Sequence, residues 1–370
     1  MPRMKRLLLI GGGHAHVEVL RRFGIDRERG VEITLISPQR HAPYSGMLPG
    51  FVAGHYRWDD FHIDLELLAQ RAAATVRLTT IESLDIVAQS AIAADGTVHR
   101  YDVCSIDIGS VPRMDAPGAR EHGIAVKPVD RFLERWSEVA TGIRERKLTN
   151  VTVVGGGAGG VEILLAMQNA VRPGPTTGTR FSIVSDTPSI LSSHLPHVRA
   201  IFERVLARRN VAIYSSARVE SAESGMVRCS DGRAIESDAI FWATGAGAAP
   251  WIAASGVAID EAGFMRVNSH LQSPSHPTIF GSGDAIAFDE MRLPKSGVFA
   301  VRQGPVLSHN LRAALRGEPL RPFVTKPTAL NLISTGDRCA VMAWRSQAIE
   351  GAWVWRWKDW IDRRFMRRYR

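Results

Sequence analysis

The chain has 370 residues, of which 45% are hydrophobic, and a formal net charge of +9. This length predicts two domains with full cores, and no apolar run approaches the ~20 residues that a membrane span requires. The N-terminal apolar run stops at GGG after four residues and the three cysteines form no C-x-x-C pair, so we expect neither a secretion signal nor a zinc ribbon, but a cytoplasmic, reducing location.

The first predicted unit is a strand, a glycine-rich turn and a helix. KRLLLI reads as the strand, GGGHAH as the turn and HVEVLRRFG as a helix ending at Gly24, and VEITLI (31–36) is the next strand. Gly11 and Gly13 match a G-x-G-x-x-G pattern, but His16 stands where the third glycine allows close helix–strand packing, so we expect this helix to sit differently. His14 and His16 point to opposite sides of a helix, so no metal site is predicted.

The middle of the chain predicts a helix over 62–74, short strands over 75–108 and a connection over 110–123. The segment DRFLERWSEVATGIRER predicts a further helix that leads into a second unit.

The second unit repeats the first about 144 residues later. The strand VTVV precedes GGGAGGVE, in which Gly155, Gly157 and Gly160 fill all three glycine positions, and a helix, the loop RPGPTTGT and the strand RFSIV follow. Such a turn gives a ligand free N–H groups and the positive end of a helix dipole, so it predicts a dinucleotide site.

Neither unit has an acidic residue at the end of its second strand, where one would bind a ribose 2′-hydroxyl. Ser37 and Ser185 take that place, and Asp186 follows directly in the second unit. The sequence therefore leaves the choice between NADH and NADPH open.

A helix over 194–209, a hairpin over 217–235 and two further segments, ATG at 243–245 and TIFGSGDAIAF at 278–288, complete the second half. The last residues, WVWRWKDWIDRRFMRRYR, carry seven basic and two acidic side chains, and five of the nine tryptophans lie between Trp344 and Trp360. Since no nucleic-acid-binding motif is present, no nucleic-acid partner is predicted. The tail predicts a helix with one apolar stripe on an anionic membrane surface; packing on the protein's own core is the alternative.

Taken in order, GGGHAH, YDVCSIDIGS, GGGAGGVE with its ATG, and IFGSGDA resemble the pyridine nucleotide–disulfide oxidoreductase superfamily over roughly residues 5–366. The chain is most similar there to type II NADH dehydrogenases and sulfide:quinone oxidoreductases. HAPYSGMLPGFVAGHY and the tail resemble still more closely the flavoprotein module found fused ahead of selenophosphate synthetase. DIG (107–109) replaces the usual first ATG, and Arg302–Gln303 replaces the dehydrogenases' glutamine pair.

The resemblance implies an α/β fold with two Rossmann-like domains, the second inserted in the first. An FAD-binding domain would span 1–115 and 250–325, an NAD(P)H-binding domain 116–249, and a C-terminal segment with a membrane-interface helix 326–370. FAD would be the cofactor and NAD(P)H a substrate, and a homodimer stays open. The implied nucleotide-binding residues are Gly11, Gly13, His14, Ala15, Ser37, Pro49, Ile81, Gly109, Gly155, Gly157, Gly160, Ser185, Gly245, Gly283, Asp284 and Val298.

The same resemblance implies three catalytic residues. Glu162 would lie where nicotinamide and flavin meet, Lys295 would stabilise the reduced flavin, and Gln303 would face the acceptor. The predicted activity is NAD(P)H oxidation with a quinone-like acceptor, in a protein held peripherally on the inner face of the membrane. The alternatives are sulfide- or selenide-linked chemistry, which the single cysteine near the acceptor end (Cys339) disfavours, and a redox sensor with negligible turnover.

Overall fold

Two parallel five-stranded sheets form the frame of the molecule, in a computed structural model that describes residues 3–171, 178–326, 330–344 and 347–370. The strands of the first sheet stand in the order Ile279–Gly281, Val103–Ile106, Lys5–Ile10, Val31–Ser37 and Ala74–Leu78. Those of the second stand in the order Gly123–Ala125, Ala239–Trp242, Asn150–Val154, Arg180–Val184 and Val211–Tyr214. In both sheets the glycine-rich turn follows the central strand.

Helices cover the sheets and link them. Among the described residues the α-helices are His14–Ile25, Leu48–Val52, Trp58–Phe61, Leu65–Arg71, Ala119–His122, Val129–Arg144, Ala158–Val171, Pro196–Arg208, Pro250–Ala254, Gly297–Arg316 and Ala352–Met366. Single 3₁₀ turns lie at Ser45–Met47 and Gly283–Ala285.

Smaller sheets decorate this frame. Three are antiparallel triplets, formed by Ile81–Asp85, Ser90–Ala93 and Val98–Arg100, by Val219–Glu223, Met226–Cys229 and Ala234–Glu236, and by Asn331–Ser334, Ala340–Trp344 and Gln347–Gly351. The remaining strands pair in twos: His41–Pro43 with His62–Asp64, Val111–Pro112 with Ala246–Gly247, and Met265–Val267 with Ile286–Phe288.

The two central strands are mostly apolar on both faces because helices cover both sides of a parallel sheet. Leu7 to Ile10 and Val151 to Val154 are buried throughout. The helix His14–Ile25 lies against Gly297–Arg316 so closely that a Cβ on Gly304 would stand 2.7 Å from that of Glu18. This close packing fixes the first helix relative to the helix Gly297–Arg316.

The predicted α/β class with two Rossmann-type units is confirmed. The single helix predicted over 62–74 is wrong: His62–Asp64 is a strand, and the Asp64 side chain accepts the Leu67 N–H, so the helix starts only at Leu65. Most of the predicted loop RPGPTTGT lies outside the described residues. The division into 1–115 with 250–325, 116–249 and 326–370 stays a prediction.

The C-terminal helix Ala352–Met366 differs from the single membrane-facing stripe predicted for it. Phe365 and Tyr369 are buried in the core at 7% and 3% exposure, whereas Trp353, Trp357 and Trp360 remain 37–54% exposed. One end of the stripe therefore packs on the protein and only the tryptophan end faces outward. In the described part of the chain, no helix is long and apolar enough to cross a membrane.

Candidate active site

The two glycine-rich turns share one backbone geometry. The N–H groups of Gly11 and Gly155 donate to the carbonyls of Ile36 and Val184 on the neighbouring strand, each at 2.8 Å. A Cβ on Gly11 would clash with the Asp107 carbonyl oxygen, and one on Gly155 would clash with that of Ala243. Both glycines also have positive φ, +98° and +123°, so glycine is required twice for the same reason. The turns can be compared position by position, with Asp107 matching Ala243.

The second turn is open. A Cβ on Gly157 or on Gly159 would have no atom within 4 Å, and the helix Ala158–Val171 begins between them. A Cβ on Gly160 would clash with the Gly155 carbonyl oxygen, which explains the third glycine as a packing requirement. The free N-terminus of this helix can bind an anion.

The first turn is filled by a side chain that is not among the site residues predicted from the sequence. One carboxylate oxygen of Asp107 accepts the N–H groups of Ala15 at 2.8 Å and His16 at 3.1 Å. A Cβ on Gly13 would clash with that carboxyl group. Burial raises the pKa of Asp107 to about 6. The available signal was the DIG that replaces ATG, because it puts a charged residue at the end of a buried strand.

His16 occupies the third glycine position by turning its ring into the protein. Its Nδ1 lies 2.7 Å from the Gly11 carbonyl oxygen and its Nε2 lies 2.8 Å from the Ser105 hydroxyl. Burial lowers the pKa of His16 to about 4, so the ring is neutral. The start of this helix differs from that of the second one, as expected, because His16 and Asp107 stand where the second unit has Gly160 and Ala243.

A cavity of about 2030 Å³ runs from the second turn towards the first sheet and the C-terminal hairpin. It exceeds the ~300–1000 Å³ of ordinary ligand pockets, so it has room for more than one ligand. The residues implied by the resemblance that line it are Pro49, Gly155, Gly157, Glu162, Ser185, Gly245, Asp284, Lys295 and Val298. Gly283 and Gln303, with Lys295, line a second cavity of about 630 Å³. The other implied residues, Gly11, Gly13, His14, Ala15, Ser37, Ile81, Gly109 and Gly160, line neither of these two cavities.

Asp284 lies where the cavity meets the first sheet. Its carboxylate is 3.2 Å from the Lys127 ammonium and 3.4 Å from the Ser110 hydroxyl. The Gln303 side-chain oxygen, which is buried, accepts the Gly283 N–H at 2.7 Å. Gln303 thus holds the backbone next to Asp284 rather than facing the main cavity.

Lys295 also has partners within the protein. Its ammonium donates to the Ile286 carbonyl and lies 3.4 Å from the centre of the Phe264 ring. Burial lowers the pKa of Lys295 to about 8. The side chain lines both cavities, so it places a positive charge at the wall between them.

Glu162 connects the second turn to the C-terminal helix. The Ser334 N–H donates to its carboxylate at 2.6 Å. Burial raises the pKa of Glu162 to about 7, in opposition to the nearby ammonium of Lys358. Lys358 forms a 2.7 Å ion pair with Asp362 and donates to the Gly46 carbonyl at 2.6 Å.

Tyr44 completes this polar cluster. Its hydroxyl donates to Asp362 at 3.2 Å, and its ring stacks on Phe365 and meets His14 edge-on. Nε2 of His14 is buried with no hydrogen-bond partner in the described part of the chain. In the sequence Lys358 and Asp362 look like charges of a solvent-exposed tail, because nothing local marks them as buried partners of Glu162.

None of the three cysteines lines either cavity. Cys104 and Cys229 are buried, Cys339 is half-buried, and all three are free thiols. The positions of these thiols give no support to a pair of cysteines at the cavity.

A family model described as pyridine nucleotide-disulphide oxidoreductase matches residues 5–304. The chain is 25% identical over 293 residues to the NADH dehydrogenase-like protein YutJ of Bacillus subtilis, covering 76% of each chain. It is 22% identical to the type II NADH:quinone oxidoreductase of Staphylococcus aureus, covering 86% of this chain and 85% of that one. The sulfide:quinone oxidoreductase structure from Aquifex aeolicus matches with a TM-score of 0.82 at 18% identity, over 99% of this chain and 91% of that one.

Proposed function

Because the chain belongs to the pyridine nucleotide-disulphide oxidoreductase family, we propose that it is an FAD-dependent enzyme that oxidises NAD(P)H and reduces a quinone-like acceptor. The observation that carries the proposal is the cavity of about 2030 Å³, whose lining includes the open second turn, Asp284 and Glu162. The nicotinamide, the flavin ring and the acceptor have to meet in one such space, whereas the FAD pyrophosphate would bind at the first turn, which does not line this cavity.

Support for FAD comes from polar groups beside the first turn. The buried Nε2 of His14 lacks a hydrogen-bond partner among the described residues, so it is available to a bound group. Asp284, by the resemblance, would bind the ribitol hydroxyls, and Lys127 would hold its carboxylate in place. The residues fit FAD except at one point: the carboxyl group of Asp107 brings a negative charge to the turn where the pyrophosphate would bind.

NAD(P)H is assigned to the second turn. The pyrophosphate would approach Gly157 and Gly159 at the start of the helix, where an added Cβ would meet no atom within 4 Å. The Ser185 hydroxyl is shared with Thr187 at 2.8 Å, while Asp186 and Arg218 also line that end of the cavity. One carboxylate and one guanidinium leave NADH and NADPH both as substrates.

When bound, FAD supplies the transfer of hydride from the nicotinamide and of electrons to the acceptor. The protein supplies position and protons. A carboxyl group with a pKa of about 7 is suited to give up a proton at neutral pH, and Glu162 is held by Ser334 beside the cavity. The Lys358 ammonium stabilises the carboxylate that remains. Reduction of a quinone to a quinol needs two protons, so this cluster is placed for that demand.

The membrane partner is part of the same proposal. Trp353, Trp357 and Trp360 are exposed on the C-terminal helix near its basic residues, as on helices that lie in a lipid–water interface. A peripheral position on the inner face of an anionic membrane would bring a lipid-soluble acceptor to the cavity. The relatives named for quinone reduction agree with that acceptor class.

The test is the absorption spectrum of the purified protein, recorded alone, after NADH or NADPH, and after a short-chain quinone. We expect a flavin spectrum that bleaches with the reduced nucleotide and returns with the quinone. Bleaching without return would favour a redox sensor, and return only with a sulfide- or selenide-derived acceptor would favour the other enzymatic alternative. A protein without flavin under all conditions would refute the proposal.

A further inference from the structure

Because the two units have the same backbone geometry, the first glycine-rich turn can be compared directly with the second. Backbone hydrogen bonds place both turns in the same register: Asp107 N–H donates to Ile10 and Ala243 N–H donates to Val154, each at 2.8 Å. Asp107 and Ala243 therefore occupy matching points at the ends of matching strands. What differs is that the first turn has a carboxyl group where the second has a methyl group.

That carboxyl group lies where the second turn offers space to a ligand. In the second turn an added Cβ on Gly157 meets nothing within 4 Å, while in the first the same atom on Gly13 clashes with Asp107. The carboxylate also accepts the N–H groups of Ala15 and His16. The N-terminus of the first helix, which would normally attract a phosphate, is thus already occupied by a negative charge from the chain itself.

The groups around Asp107 do not offset this charge for an incoming anion. On the helix, His16 is bonded to Gly11 and Ser105 through its ring, and the burial of His14 lowers its pKa, so neither ring is cationic at neutral pH. On the returning segment, Asp284 adds a second carboxylate, and its partner Lys127 is bonded to it at 3.2 Å. A pyrophosphate at this turn would face like charge in a buried setting, where charge repulsion is poorly screened.

We propose that FAD binds at the first turn only with Asp107 in its neutral carboxylic acid form, so that binding takes up one proton and weakens as the pH rises. The inference rests on the proposed function and extends it. In the neutral form the carboxyl C=O keeps accepting the two helix N–H groups. The added proton, taken from solvent, is donated as an O–H hydrogen bond to a phosphate oxygen, and no covalent bond to carbon changes.

Linkage fixes the sign and size of the effect. Burial holds the pKa of Asp107 at about 6 in the free protein, and a bound pyrophosphate would raise it further. Above that pH the free protein has lost the proton that the complex needs, so the dissociation constant of FAD rises about tenfold per pH unit. Below about pH 6 the dependence disappears, because both states are protonated.

The experiment follows free flavin fluorescence after dilution of the purified holoprotein, between about pH 5.5 and pH 8.5, for wild type, Asp107→Asn and Glu32→Gln. We expect the dissociation constant of wild type and of Glu32→Gln, an exposed carboxylate on the same sheet, to rise about tenfold per pH unit above pH 6. Asp107→Asn keeps both an acceptor and a donor, so its dissociation constant should change less than about twofold over the range and match the acidic limit of wild type.

Calorimetric titration of FAD into flavin-depleted wild type, in two buffers of different ionisation enthalpy, gives the same answer without a variant. We expect uptake close to one proton per FAD at about pH 7.5. A pH-independent dissociation constant with no proton uptake would overturn the inference while leaving the flavoenzyme proposal intact. An unchanged pH dependence in Asp107→Asn would overturn the role of Asp107. A protein that binds no FAD even at acidic pH would overturn both.

Discussion

Gly157→Val separates the roles of the two turns. The structure leaves open space where its Cβ would stand, so the side chain meets the nucleotide rather than the protein. Loss of two charge-assisted hydrogen bonds from the turn to the pyrophosphate, at about 1.5–3 kcal/mol each, corresponds to a roughly 10²- to 10⁴-fold rise in the concentration of NAD(P)H that half-reduces the flavin. Flavin content should be unchanged, and the thermal midpoint should fall by no more than about 2–4 °C.

The assay is rapid mixing of the oxidised holoprotein with increasing NADH or NADPH, with the bleaching of the flavin recorded. Gly13→Val is the matched variant, because its Cβ would clash with the Asp107 carboxyl group, and we expect it to lose both flavin and stability. An unchanged nucleotide dependence in Gly157→Val would refute the placement of NAD(P)H. If instead that variant lost flavin and still reacted with NADH once reconstituted, the two turns would be assigned in reverse.

Three other predictions address the C-terminal cluster and surface. Burial raises the pKa of Glu162 to about 7, so its proton is present below that pH and lost above it, and wild-type kcat with a quinone should fall about tenfold per pH unit above pH 7. Glu162→Gln should lower kcat about 10²- to 10⁴-fold and remove this fall at alkaline pH. A pH profile of kcat that Glu162→Gln leaves unaltered would exclude Glu162 as the proton donor. Lys358→Met leaves Asp362 buried without its ion-pair partner, which should cost about 3–5 kcal/mol of stability and lower the thermal midpoint by roughly 6–20 °C. The double variant with Asp362→Leu should regain most of the lost stability, because no unpaired charge is then buried. An equal fall of the thermal midpoint in the single and double variants would show that the unpaired charge does not cause the destabilisation. Replacing Trp353, Trp357 and Trp360 with serine should abolish binding to anionic liposomes without loss of the flavin. Wild-type binding should weaken as the salt concentration rises, because salt screens charge interactions beyond ~8 Å. Liposome binding by the triple variant equal to that of wild type would show that this helix is not the membrane anchor.

The sequence predicted the parts of the fold that local patterns determine. Apolar strands, glycine-rich turns and amphipathic helices have signals within a dozen residues, so both central strands and the order of the two units follow from them. The start of the helix at Leu65 was missed because one capping residue, Asp64, outweighed a helical pattern that began earlier.

The polar cluster at the cavity could not be predicted in the same way. Glu162, Lys358 and Tyr44 come from three distant segments, and only the packing of the C-terminal helix brings them together. A basic residue in a basic tail reads as surface charge until its neighbours are known. The alternative that the tail packs on the protein's own core is therefore partly right. Because deleting the tail would remove the buried Lys358–Asp362 pair together with the exposed tryptophans, point substitutions are the sharper test of membrane binding.

The two turns have nearly the same sequence, but a ligand would meet a different residue at each of them, and the sheet register explains this difference. The backbone constraint falls on Gly11 and Gly155, and both are kept because a clash with the next strand's carbonyl oxygen admits no side chain. The residue that carries that carbonyl, Asp107 or Ala243, lies about 90 positions further along in each unit, outside any local motif. A glycine-rich pattern therefore specifies the shape of the turn, while the charge that a ligand meets there is set by a strand end that the pattern does not include. Whether the first turn binds its ligand with a proton depends on Asp107, and the second turn, with Ala243, has no such dependence.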